Sequence, residues 1–110
     1  MKKIKKPSRL QAFLYAHIEA SPLTQKEIAE AVGYENPNMI TILKQGDAKL
    51  ALDRVVPMAE VLGVDPRHLF ALALEAYYGD ANARVMMKMF GKDDLLNQPV
   101  EPVKTHEPAT

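Results

Sequence analysis

Between Leu23 and Gln45 the chain reads LTQKEIAEAVGYENPNMITILKQ, and no other stretch limits the possible folds as much. Thr24 is placed as an N-cap, Glu27 three residues later completes a capping box, and Leu23 is positioned to staple onto Ile28. Ile28, Ala29 and Val32 then share one face. The small Ala29 lets a following helix cross closely, and Gly33 supplies the left-handed residue that stops the first helix. After Tyr34 and Glu35, Asn36 is the next N-cap, and Pro37 takes the first helical position, where a missing N–H costs nothing. Two helices this short hold their shape only when the rest of the chain packs against them.

The second of these helices has two different sides. Ile40 and Leu43 fall together and read as core. The opposite side carries Asn38, Thr41, Ile42 and Gln45, with Met39 at the boundary. Amides pair bidentately with adenine, and an aliphatic side chain meets a thymine methyl. An isoleucine among polar residues on an outward face otherwise needs a reason. The layout is that of a helix-turn-helix, in which one helix braces on a duplex and the next enters the major groove. The competing reading is a plain helical domain on which Asn36, Asn38 and Gln45 are only solvated amides.

The remaining segments follow as a single all-α domain, the size that 110 residues allow. Residues 1–7 form a basic arm with Lys2, Lys3, Lys5 and Lys6, read either as a solvated terminus or as an arm along phosphates. Ser8 caps the first helix, with Gln11 placed for a capping box. Leu10, Phe13, Leu14, His17 and Ile18 make its buried stripe, and Ser21-Pro22 ends it. Lys49, in the loop after Gly46, suits either a phosphate contact or solvent. Val55, Ala59 and Leu62 mark a fourth helix, which Pro57 obliges to start late or to kink. The expectation is a helix with an irregular first turn.

Asp65-Pro66 opens a fifth helix. Leu69, Phe70, Leu72, Ala73, Leu74, Ala76, Tyr77 and Tyr78 are too many apolar residues for one stripe, so this helix must be covered on two sides. The second cover is either the next segment or another copy of the chain. The candidate dimer interface is Leu72, Leu74, Tyr77, Tyr78, Met86, Met89 and Phe90. Residues 79–90 read as a sixth, shorter helix whose methionines suit an adaptable packing surface. Residues 91–110, proline-rich and polar, read as a disordered tail. The expected domain is therefore 8–78, with the sixth helix and the tail appended.

Composition narrows the function. The chain has no cysteine, which removes disulfides and makes a zinc finger an unattractive reading. His17, His68 and His106 have no ligand-like spacing, so neither a metal nor a cofactor is expected. No phosphate-binding glycine loop or glycine-flanked serine is present, so an enzyme is not expected. No apolar run reaches membrane-spanning length and the N-terminus lacks a secretory h-region, so the expected location is cytoplasmic, at the nucleoid. Net charge is zero, yet it is unevenly spread. Through Arg54 there are nine Lys/Arg against six Asp/Glu, and afterwards five against eight. A basic half facing nucleic acid and an acidic outer half fit that asymmetry.

LTQKEIAEAVG, then ITILKQG, then LDRVVPMAEVLGVD resembles the lambda-repressor-like family of Cro/Xre-type helix-turn-helix regulators, over about Leu23 to Phe70. The resemblance implies a compact five-helix DNA-binding domain. It implies a homodimeric transcriptional regulator, a repressor in the simplest case, on a palindromic operator in double-stranded DNA. Gln25 occupies the family's phosphate-touching, helix-bracing position. The base-reading positions fall on Pro37, Asn38 and Ile42, with Thr41 beside them and backbone contacts near Gln45. With Asn36, Lys44 and Lys49 these make the expected DNA-contacting set. Some members of the family neutralise a toxin, so an antitoxin that binds a companion protein is the alternative role.

Overall fold

The computed structural model describes residues 8–91 and 93–100. Among them the regular structure is entirely helical: α1 (Arg9–Ala20), α2 (Gln25–Val32), α3 (Asn38–Gln45), α4 (Val55–Leu62), α5 (Pro66–Tyr78) and α6 (Asp80–Lys88). Short 310 turns occupy Leu52–Arg54 and Asp93–Asn97. No helix of the described residues is long and apolar enough to cross a membrane.

The ends of the helices follow local chemistry. At α2 the Thr24 hydroxyl accepts from the Glu27 N–H at 3.1 Å, and the Glu27 carboxylate accepts from the Thr24 N–H at 2.9 Å. Each bond satisfies a backbone donor that has no partner within the helix. At α1 only half of the expected box forms. Ser8 Oγ accepts from the Gln11 N–H at 3.0 Å, but the Gln11 amide donates instead to the Lys44 carbonyl at 3.1 Å. That carbonyl sits in the last turn of α3, where acceptors lack helical partners, so Gln11 ties α1 to the end of α3. Pro57 falls at the third position of α4, after the 310 turn. Its missing N–H would have had no acceptor within α4 there, so the late start of the helix accommodates the proline in the first turn.

The main core lies between α1, α2, α3, α4 and one side of α5. Phe13, Leu14, Ile28, Ile40, Leu43, Leu50, Met58, Leu69 and Leu72 are enclosed in it. Fully burying each such side chain contributes about 1.5–3 kcal/mol. On the other side of α5 a second, smaller cluster joins Ala71 and Leu74 to Ala83 and Met87 of α6 and to Leu95 and Leu96.

Two expectations are corrected here. Leu72 and Leu74 are only 0% and 5% exposed, so they lie inside the protomer and offer nothing to a second copy. The doubly apolar α5 is covered by the segments that follow it in its own chain. The tail, expected to be disordered from residue 91, is helical at Asp93–Asn97 and buries Leu95 and Leu96. Those adjacent leucines anchor a segment whose surrounding polar and proline residues conceal them in the sequence. The anchored segment is also held by polar bonds, from Arg9 Nη2 to the Gln98 carbonyl at 3.2 Å and from Arg84 Nη1 to Asn97 Oδ1 at 3.2 Å. The basic arm and residues 101–110 lie outside the described residues.

Candidate nucleic-acid interface

The second helix of the Leu23–Gln45 unit presents the face its sequence suggests. Ile40 and Leu43 are buried, which fixes the rotation of α3 about its axis. Asn38 and Gln45 are exposed, while Thr41 and Ile42 are half-buried. Met39 packs partly against the core. The regular helix begins at Asn38, one residue later than expected, because Met39 and Ile40 donate to the carbonyls of Asn36 and Pro37 at 3.0 Å each and close a tighter first turn. Asn36 still acts as a cap of sorts. Its Oδ1 accepts from the Asn38 N–H at 2.9 Å, an Asx turn, so this side chain is engaged in shaping the turn. Pro37 is exposed and has helical torsions, φ −61° and ψ −21°.

Three expected site residues are joined side chain to side chain. Gln25 Nε2 donates to Thr41 Oγ1 at 2.8 Å, and Lys44 Nζ donates to Gln25 Oε1 at 3.1 Å. Lys44 is also ion-paired and hydrogen-bonded to Glu19 in the last turn of α1. Its ammonium lies 5.6 Å from the centroid of the Tyr15 ring. The first residue of α2 is thereby fastened to the middle of α3, which sets the two helices relative to each other. Lys49 stands elsewhere, on the loop beyond α3, its ammonium 5.4 Å from the Tyr77 ring centroid. Lys2, Lys3, Lys5 and Lys6 belong to the arm outside the described residues.

Arg54 supports the turn between α2 and α3. Its Nη1 donates to the Val32 carbonyl at 2.8 Å, and its guanidinium lies 4.9 Å from the centroid of Tyr34. Gly33, at φ +97°, leaves the room this needs, since a Cβ there would stand 2.6 Å from Arg54 Nη1. Burial pushes the Tyr34 phenol up from its ordinary value, with Arg54 pulling the other way. Sequence reasoning missed the roles of Glu19, Tyr15 and Arg54. Glu19 and Lys44 are 25 positions apart, and Arg54 and Val32 are 22 apart, so no local spacing signals either contact. Gln11 carried a signal that pointed to the wrong partner.

No protein-family model, curated protein or solved structure matches the chain. What the face can do is set by its own chemistry. Two free amides and an accessible β-branched aliphatic side chain stand along one side of a short helix whose other side is locked in a core. Among the described residues no group of three or more His, Asp or Glu is arranged to hold a metal. His17 is half-buried, its ring centroid 4.2 Å from that of Phe13, and His68 meets Phe13 edge-on at 5.3 Å.

The candidate dimer residues divide. Leu72 and Leu74 are internal, and Met86 is half-buried against the small cluster. Tyr77, Tyr78, Met89 and Phe90 remain exposed, the last two at 75% and 69%. Beside them Leu52, Val55, Val56, Phe70, Met87 and Phe90 line an open apolar groove. The groove was not visible in the sequence, because its walls come from the 310 turn, α4, α5 and the end of α6.

Proposed function

We propose that this chain is a sequence-specific DNA-binding transcriptional regulator, a repressor, of the lambda-repressor-like Cro/Xre type, which binds a palindromic operator as a homodimer. In this reading α1 to α5 form the five-helix DNA-binding domain and α6 is the added helix. The N-terminal half of α3, with Pro37 and Asn38 leading, enters the major groove. Asn38, Ile42 and Gln45 meet base edges and backbone, and the α2 end at Gln25 lies against phosphate.

One observation carries the reading: the Asn38–Thr41–Ile42–Gln45 flank of α3 stands clear of the core, while Ile40 and Leu43 on the other flank are enclosed. The described part of the chain's own end supports it as well, because residues 93–100 run along α1, α5 and α6 and leave that flank open. The homodimer is assigned to the open apolar groove that Val56 and Phe90 line, with exposed Met89 next to Phe90 in the chain. Apolar surface of this kind on an otherwise well-packed domain marks a partner site, and a twofold interface uses one patch on both copies.

Selection of bound sites from random duplex DNA tests the proposal. The expected result is an enriched motif with twofold symmetry and half-sites about one helical turn apart. Recovery of unenriched sequence would overturn it.

A further inference from the structure

We propose that Glu19 is a latch on a phosphodiester-binding clamp formed by Gln25 and Lys44, and that it holds the affinity of the face below what its cations could reach. This rests on the DNA-binding reading above and names a control element of the same site.

Lys44 has its side chain only 16% exposed and its ammonium already engaged by the Glu19 carboxylate and the Gln25 amide oxygen. Gln25 in turn spends its NH2 on Thr41. The two groups best placed to meet a phosphate oxygen at the edge of the α2–α3 unit are thus tied to one another. Glu19 is the one member that can only repel the ligand. It is an anion in the last turn of α1, where the helix carbonyls make a negative charge unfavourable. Half of its side chain faces solvent, at 51% exposure. Its location is hard to explain by the stability of α1 and is explained by the ammonium it neutralises.

An arriving phosphate therefore competes with Glu19 for Lys44, and the carboxylate stays beside the strand and opposes it. The loss falls on every duplex that places a phosphate at Lys44, whatever its sequence. Glu19 thereby sets the overall affinity and the salt dependence of the face without touching a base.

The test is Glu19→Gln in the full chain, with fluorescence anisotropy on the selected operator and on a random duplex across a salt series. Glu19→Gln keeps the shape and can still accept a bond from Lys44, and a thermal melt checks that folding is intact. The expected result is binding to random duplex and operator tightened alike by about fivefold at low salt, and a salt slope steeper by about one ion. Glu19→Gln combined with Lys44→Gln should return the slope to that of the parent. Unchanged affinity and slope in a parent and a variant that both bind the operator would overturn the latch alone. Absence of any DNA binding by the parent would overturn the DNA-binding reading and the latch with it.

Discussion

Leu96 lies in the segment whose sequence gives least reason to expect order, and replacing it tests the packing of α5. Leu96 is 1% exposed and sits with Ala71, Leu74, Ala83, Met87 and Leu95. Leu96→Ala removes its methyl groups from that cluster and leaves a cavity, which in protein cores costs about 2–5 kcal/mol. The cluster is small and its last turn lies near the surface, so it can partly collapse, which places the expected cost at about 2–3 kcal/mol. For a domain of this size that lowers the midpoint of thermal unfolding by on the order of 10–20 °C. The assay is circular dichroism at 222 nm against temperature, checked by urea titration. Glu30→Ala on the exposed side of α2 is the control and should change stability by no more than about 0.5 kcal/mol. If Leu96→Ala matched that control, the last turn would not be covering α5, and the second face of the helix would need another partner. Truncation after Gly91 should likewise destabilise the fold, where a passive tail would be lost at no cost.

Replacing Asn38 or Ile42 by Ala should reduce discrimination between operator and random duplex by about 1–3 kcal/mol per lost base contact; equal discrimination by the Asn38 variant would show that the wrong flank of α3 has been assigned. Arg54→Ala should cost about 1–2 kcal/mol, the sum of a partly exposed charged hydrogen bond and a weak cation–π contact, read as a shift in urea midpoint. Gly33→Ala should cost more in the parent than beside Arg54→Ala, where only its positive φ remains to be strained, and additive costs would refute the close approach. Burial first, with Arg9 second, holds His68 below its ordinary value of 6.5, and burial lowers His17 as well. The unfolded chain therefore takes up protons near pH 6.5 that the folded chain refuses, so stability is complete above that pH and falls as pH drops below it. Denaturant midpoints from pH 7.5 to 5.5 should show the decline, and His68→Leu, which also removes a buried Nε2 with no partner among the described residues, should lessen it and leave the His17 part. A flat profile in the parent would refute the assignment.

What could be read from the sequence was local. Thr24 with Glu27, Gly33, Asp65-Pro66 and the stripe from Leu10 to Ile18 each act within a few residues, and each helix they mark is present. The inward and outward sides of α3 also followed from periodicity, since Ile40 and Leu43 recur at helical spacing. The misses are long-range or competitive. Gln11 had two possible partners, the Ser8 N–H from which its Oε1 would accept and a carbonyl to which its NH2 could donate, and only the folded arrangement brings the Lys44 carbonyl within reach. Lys44 looked like a free cation because its neutralising carboxylate comes from another helix. Leu95 and Leu96 are two apolar residues with no period to extend, so nothing short of α5 and α6 reveals what they cover. The excess of apolar residues on α5 correctly demanded a second cover, but excess alone could not say whose it was.

Because Leu95 and Leu96 come after every helix they help to bury, the ribosome delivers this cover only after the helices it closes over. Until then a nascent chain carries α5 with Ala71 and Leu74 bare, a greasy strip open to chaperones and to other unfinished copies. A nonsense or frameshift lesion between α5 and Leu95 would keep that strip bare for good. The cell would then meet such a product as a substrate for quality control, even though α1 to α5 are all encoded.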